Sequence, residues 1–227
     1  DNPVIQHNLA ACSGSAAPQR ASDGYVERTF DAFAATFDAN LSALGYRAPE
    51  LVAALLRELV AIQSRPLAIA DLGCGTGLCG PLIRDLAGSL DGCDLSAGML
   101  EKAKRRQTYD ALHHQELVAY LLDHDATFDA LVCADTLCYF GELDQVASSA
   151  ASALRSDGVF VFTVEALPDD TTEHYHLQPH GRYAHQRDYV VQALRKFGLM
   201  PTAVQHEVLR FEAGQPVHGW LVGAIRE

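Results

Sequence analysis

Positive charge is scarce in this chain. Seventeen Lys and Arg stand against 29 Asp and Glu, a formal net charge of −12. Backbone binding to DNA or RNA draws on clustered Lys and Arg, so this balance argues against a nucleic-acid substrate. The one basic cluster, Lys102, Lys104, Arg105 and Arg106, falls on an expected surface helix and reads as a solvated face. No apolar run reaches membrane-spanning length, so no membrane association is expected. The six cysteines (Cys12, Cys74, Cys79, Cys93, Cys133 and Cys138) contain no C-x-x-C pair, which removes the usual zinc knuckle and redox dithiol. They read as reduced thiols, with Cys93 and Cys133 as small hydrophobes inside buried strands. His174, His176, His180 and His185 cluster without a Cys or tight acidic motif beside them, and no metal is expected there. The opening Asp1-Asn2-Pro3 lacks the basic and apolar regions of a signal peptide. A cytoplasmic protein, or a piece of a longer one, is the expectation.

What is present is a single domain of ordinary size, 227 residues with 48% hydrophobic content. Its most informative stretch is Asp71-Leu72-Gly73-Cys74-Gly75-Thr76-Gly77, directly after the apolar run Leu67-Ala68-Ile69-Ala70. A buried strand that ends in acid-x-Gly-x-Gly-x-Gly and enters a helix is a nucleotide-cofactor turn. Its glycines permit a tight bend and close backbone approach, and the helix N-terminus offers free N–H groups. The G-x-G-x-G spacing differs from the G-x-G-x-x-G of dinucleotide turns, which disfavours an NAD-dependent oxidoreductase. Asp71 would repel a pyrophosphate but can accept hydrogen bonds from a cationic amino group. S-adenosylmethionine, with its ammonium, sulfonium and adenosine, suits that pattern. The next strand closes on Asp94, where a carboxylate holds ribose hydroxyls in a βαβ unit. Ser96 then caps a helix carrying Met99, Leu100 and Ala103.

In these residues the chain resembles the class I S-adenosylmethionine-dependent methyltransferases over about residues 25–227. The matching positions are Asp71, Gly73, Gly75, Gly77 and Asp94, together with the strand Phe128-Asp129-Ala130-Leu131-Val132-Cys133-Ala134-Asp135. Tyr25 through Leu41 and Gly181-Arg182-Tyr183-Ala184-His185 look like bacterial methyltransferases often fused behind tetratricopeptide repeats. The resemblance implies S-adenosylmethionine as cofactor, S-adenosylhomocysteine as product, and association with a repeat region. It also implies a strand order of 3-2-1-4-5-7-6 with the seventh strand antiparallel.

Periodicity gives the rest of the layout. Residues 1–24, with Ser13-Gly14-Ser15-Ala16-Ala17-Pro18, read as a linker or loosely attached arm. Residues 25–63 hold N-terminal helices: Phe30, Phe33, Phe37, Leu41 and Leu44 mark one, and Leu51 to Ile62 a second. A Rossmann-like core over 64–227 follows. Its strands are expected near 67–71, 90–94, 110–114, 128–134 and 159–164, with helices near 79–87, 96–107, 116–122, 147–154 and 187–197. An irregular stretch spans 167–186, and a hairpin closes the chain at 202–212 and 217–226. This is an α/β, doubly wound, seven-stranded and mainly parallel sheet, and the resemblance implies that the N-terminal helices form a lid over it.

Ligands collect at the carboxyl ends of such strands, at the switch point between the first and fourth. Asp71, Gly73, Cys74, Gly75 and Gly77 then face the methionyl part, and Asp94, Leu95 and Met99 the ribose side. Glu116 with the Leu117 N–H either reads adenine or only caps a helix. Asp135 lines the floor beneath the sulfonium, or else caps the next turn. Tyr25 and Phe33 cover the cofactor, or belong to ordinary core. A small-molecule acceptor is expected, since Ala134-Asp135-Thr136-Leu137 replaces the Asn/Asp-Pro-Pro-Tyr/Phe signature of DNA and protein-glutamine enzymes. The acidic surface favours a small or cationic acceptor. His176, Tyr183, Arg182 and His185 belong to the acceptor side in this reading, with His185 and Asp135 as bases and Arg182 clamping a carboxylate or phosphate. The other reading pairs Arg182 with a surface acid and makes His185 a helix cap. A non-catalytic cofactor-binding module that regulates the repeat region is the alternative function.

Overall fold

The computed structural model describes residues 2–13, 17–63, 65–168 and 171–227. The strands β1 (Leu67–Leu72), β2 (Ala87–Asp94), β3 (Ala111–His114), β4 (Phe128–Cys133) and β5 (Leu154–Ala166) form a parallel sheet in the order β3-β2-β1-β4-β5. The apolar run that opens β1 is buried on both faces, as parallel strands between helix layers must be. Period-two alternation feeds two cores. Ile69, Val132 and Val161 pack against α4 (Ala48–Leu59) and α5 (Gly80–Ile83). Leu72, Leu131 and Phe162 pack on the other side with α7 (Leu117–Leu122), α8 (Asp144–Ala153) and α9 (Arg187–Lys196). The chain ends in a hairpin, β8 (Leu199–Glu212) with β9 (Gln215–Arg226), and β9 runs antiparallel to β5.

The doubly wound α/β class and the antiparallel last strand agree with the sequence reading; the strand count does not. Among the described residues the sheet has nine strands. The stretch expected to be irregular holds β6 (Tyr175–Leu177) and β7 (Tyr183–His185), an antiparallel pair whose β7 runs parallel to the end of β5. Asp169 and Asp170 of that stretch lie outside the described residues. Glu165 of β5 is in register with Gly219 of β9 and with Ala184 of β7, so these two strands flank β5 on opposite edges. β4 ends opposite Phe162, and the β6–β7 hairpin therefore takes over that edge beyond the end of β4. It stands where ligands collect.

Three local expectations are corrected. The linker segment contains the helix α1 (Pro3–Ser13), whose buried His7 and Ala11 fasten it to the domain; residues 14–16 lie outside the described residues. His7 Nε2 donates to the Gly181 carbonyl at 2.8 Å and its ring stacks on Tyr25 at 3.9 Å. The first aromatic helix is two helices, α2 (Asp23–Phe33) and α3 (Phe37–Ala43), separated by a turn. The helix expected near 79–87 stops after one turn of α5 and a 3₁₀ turn over Arg84–Leu86, because Ala87 already pairs with Leu67 as the start of β2.

Candidate active site

The turn after β1 is built by backbone geometry. Gly73, Gly75 and Gly77 have φ of 65°, 55° and 82°, the left-handed region that L side chains avoid. At Gly73 a Cβ would stand 2.3 Å from Thr136 Oγ1, so only glycine lets the β1 and β4 loops meet. The Cys74 N–H donates to the Cys93 carbonyl at 2.9 Å and ties the turn to β2. Gly75 N donates to Asp94 Oδ2 at 2.9 Å, and Ser96 N to Asp94 Oδ1 at 2.7 Å. Ser96 Oγ accepts from Met99 N at 3.1 Å and so caps α6 (Ala97–Arg105).

Two acids hold the lid helices on this frame. Asp31 of α2 accepts from Ser96 Oγ at 2.5 Å and Gly98 N at 3.1 Å. Asp38 of α3 accepts from Thr76 Oγ1 and from Arg106 Nη2, each at 2.6 Å. Between lid and sheet lies a cavity of about 220 Å³. Its walls include Asp71, Gly73, Cys74, Gly75, Asp94 and Leu95. Glu116, Leu117 and Asp135 also line it.

Electrostatics in the cavity follow from burial. Asp71 is 1% exposed and accepts from the Tyr109 hydroxyl at 2.6 Å. Burial pushes its carboxyl up to about 7; the Tyr109 hydrogen bond pulls it back and the charge of Asp94 adds to the rise. Asp94 is likewise held above its ordinary value by burial, against the two backbone N–H groups that stabilise its anion. Glu116 is the cap of α7 and also stands on the cavity wall. Its Oε2 caps α7 by accepting from Ala119 N at 3.0 Å, while Oε1 takes Arg20 at 3.2 Å on the cavity wall.

At the other end of the cavity Asp135 sits at φ 54°, an uncommon conformation for a non-glycine residue. Its carboxylate does not cap the next turn; Oδ2 accepts from Arg210 Nη1 at 2.6 Å. Arg182 also lines the cavity, but its Nε is given to Glu165 and its Nη2 to Glu212, each at 2.6 Å. That is the ion-pair reading, with a buried partner in place of a surface one.

The structure does not bring the remaining expected residues to the cavity. In the β7 segment alternate side chains take opposite sides. Arg182 faces the cavity, whereas Tyr183 and His185 are fully buried beside Tyr175 and Tyr189. The Tyr183 hydroxyl donates to the Pro18 carbonyl at 2.6 Å, and His185 Nε2 to the Gly141 carbonyl at 3.1 Å. Burial holds the His185 imidazole down at about 4, and Gln186, not His185, occupies the N-cap of α9. His176 pairs with Glu173 at 2.7 Å outside the cavity. Met99 and Gly77 stand behind the wall: Met99 is 1% exposed, and a Cβ at Gly77 would meet the Tyr109 ring at 2.9 Å. Tyr25 packs under α1, and Phe33 turns outward at 52% exposure, so Phe30 and Phe37 supply the aromatic cover. Tyr109, Arg210, Glu165 and Glu212 were not legible as site residues. An Arg between Leu209 and Phe211 in a β run was the one local anomaly.

This architecture matches known proteins. Residues 70–160 match the family model described as a methyltransferase domain. A dTDP-3-amino-3,6-dideoxy-α-D-glucopyranose N,N-dimethyltransferase of Streptomyces fradiae is 32% identical over 111 residues, covering 47% of this chain and 43% of the relative. A bifunctional biotin-biosynthesis protein BioHC of Saccharophagus degradans is 33% identical over 102 residues, 42% of this chain and 18% of the relative. The matched segment thus spans less than half the length of either relative. Among solved structures, the 1,6-didemethyltoxoflavin-N1-methyltransferase of Burkholderia thailandensis, with bound S-adenosylhomocysteine, superposes with TM-score 0.68 at 18% identity over 92% of each chain. Magnesium protoporphyrin IX methyltransferase of Synechocystis with bound S-adenosylmethionine does so with TM-score 0.60 at 17% identity, over 100% and 98%. The chain shares the Rossmann-like fold of these S-adenosylmethionine-dependent methyltransferases, and its residues 70–160 match a methyltransferase domain.

The residues present fit the cofactor of that class. Gly75 offers open backbone, since the nearest atom to an added Cβ is Phe37 Cε1 at 4.0 Å. A buried carboxylate stands on the wall at Asp71 and a partly buried one at Asp94.

Proposed function

We propose that this chain transfers a methyl group from S-adenosylmethionine to a small-molecule acceptor in the cavity beneath α2 and α3. The observation that carries the reading is the Gly75 N–Asp94 Oδ2 bond, which sets turn and ribose acid side by side on one cavity wall. Asp71 is the partner for the cofactor's ammonium and Asp94 for the ribose hydroxyls. Glu116 and the Leu117 N–H suit adenine, with Cys74 and Leu95 beside them. Phe30 and Phe37 cover the site and exclude water.

S-adenosylmethionine, when bound, supplies a methyl group on a sulfonium that already leaves readily. The protein's part is to align the acceptor and keep the site dry, worth roughly 7–11 kcal/mol where geometry is ideal. Of the bases considered from sequence, Asp135 alone lines the cavity. The amino-sugar and toxoflavin acceptors named for two relatives support a small acceptor. Association with a tetratricopeptide-repeat region remains a proposal of the sequence resemblance alone.

The test is release of S-adenosylhomocysteine when small metabolites are screened with the purified protein and S-adenosylmethionine. Release that depends on an added acceptor supports the enzyme. Tight cofactor binding with no acceptor-dependent release across a broad screen would favour a regulatory binding module.

A further inference from the structure

One wall of the cavity is a ladder of charges. Arg210, 3% exposed, donates Nη1 to Asp135 Oδ2 at 2.6 Å, Nε to Glu212 Oε1 at 2.7 Å and Nη2 to Glu165 Oε1. Arg182 bridges the same Glu165 and Glu212. His180 Nε2 stands 3.5 Å from Glu165 Oε2, and burial with the neighbouring Arg182 lowers its pKa, so it adds no positive charge at neutral pH. Three carboxylates against two guanidiniums leave one negative charge in excess. The charge imbalance has a matching vacancy in the hydrogen bonding: Asp135 Oδ1 is buried with no partner among the described residues.

All three guanidinium nitrogens of Arg210 are given to carboxylates, and Arg182 gives Nε and Nη2 to two of the same carboxylates, so the excess negative charge of the wall opposes a carboxylate or phosphate on the acceptor. A neutral hydroxyl gains one hydrogen bond there. An ammonium gains a charge-assisted bond and offsets the excess charge. Apolar lining of the same cavity comes from Phe30, Phe37, Leu41, Leu44 and Tyr139.

We propose that the methyl acceptor is an amine on an apolar body, bound through its N–H groups to Asp135 Oδ1. This rests on the methyltransferase reading above and names the acceptor class for the same site. An ammonium must shed one proton to become nucleophilic. Its N–H bond breaks with the electron pair kept on nitrogen, and the proton forms an O–H bond on Asp135 Oδ1. Asp135 is suited to hold that proton, since burial raises its carboxyl while Arg210 opposes the rise.

The test uses the full chain saturated with S-adenosylhomocysteine and three matched probes: benzylamine, benzyl alcohol and benzoate, titrated by NMR at neutral pH. Benzylamine is expected to bind about tenfold tighter than benzoate, with benzyl alcohol between them. Asp135→Asn should reduce the amine preference to about twofold or less, and Glu212→Gln, at a half-exposed position, should reduce it about threefold by removing the excess charge. Equal binding of all three, tighter binding of benzoate, undetectable binding of benzylamine, or an unchanged preference in both variants overturns the proposal. Calorimetry of S-adenosylhomocysteine binding runs alongside. Failure there contradicts the methyltransferase reading, whereas intact cofactor binding without amine preference contradicts the acceptor class only.

Discussion

The Tyr109 hydroxyl donates to Asp71 Oδ2 at 2.6 Å, and the Tyr109 ring lies so close under the glycine turn that a Cβ at Gly77 or Gly80 would stand 2.9 Å from it. The bond fixes the carboxylate proposed above as the partner of the cofactor's ammonium. It also favours the ionised form of a group that burial pushes up to about 7. Asp94 adds to the rise, and the surrounding thiols of Cys74, Cys79, Cys93 and Cys133 are themselves held protonated by burial. In the proposed site the ammonium meets the ionised carboxylate, so cofactor affinity should increase as pH rises through about 7. Tyr109→Phe keeps the ring and removes the donor. Calorimetric titration of S-adenosylhomocysteine should show affinity about three- to tenfold weaker at neutral pH, recovering on the alkaline side as the midpoint moves up. Parallel pH profiles for wild type and variant would remove Tyr109 from the cofactor site.

A second prediction separates the two lid phenylalanines. Phe37 lines the cavity, whereas Phe33 is 52% exposed. Phe37→Ala should weaken binding of S-adenosylhomocysteine about tenfold through lost apolar contact. Phe33→Ala should stay within about twofold of wild type, since it removes little buried area. Equal losses in both variants would mean that α2 and α3 cover the site differently.

Gly73 meets the β4 loop where no side chain fits. Gly73→Ala would press a methyl group onto Thr136 at a φ of 65°, so it should lower stability by at least about 1 kcal/mol in thermal unfolding. A variant as stable as wild type would show that the two loops part easily.

His185 gives the stability a pH dependence of defined sign. Its folded-state pKa of about 4 lies below the ordinary histidine value of 6.5, so the unfolded chain binds the proton more readily. Stability should therefore be fully present above about 6.5 and fall as pH drops toward about 4, by as much as about 3 kcal/mol from this residue. In His185→Gln that component of the acid-side loss should vanish, with cofactor affinity at neutral pH unchanged. A large loss of cofactor binding in a folded His185→Gln protein would place the imidazole nearer the chemistry than the structure does.

The parts of the site that were legible in sequence are those whose chemistry is contiguous. Asp71 to Gly77 write a strand end, a turn and a helix start in adjacent residues, and Asp94 follows by the geometry of a single βαβ unit. The acceptor wall is different in kind. Arg210 meets Asp135 across 75 positions, and nothing near either residue names the other; only the antiparallel docking of β9 on β5, with β8 beside it, joins them. The β6 and β7 strands escaped notice because three residues are too few to show a period. That hairpin carries His185 into the interior and away from the cavity. Arg182 and His185 belong to one motif, but their odd separation sends them to opposite sides. The α1 helix hid behind a Gly/Ser/Ala-rich tract, and its attachment depends on contacts of His7 with Gly181 and Tyr25 that local composition does not encode.

The central claim is that the Gly75–Asp94 frame holds S-adenosylmethionine, and one calorimetric comparison tests it most directly. Wild type should bind S-adenosylhomocysteine with micromolar affinity, about −8 kcal/mol. Asp94→Ala removes the carboxylate for the ribose and the partner of two backbone N–H groups, and its affinity should fall at least about tenfold. Equal affinity for the two proteins would contradict the account.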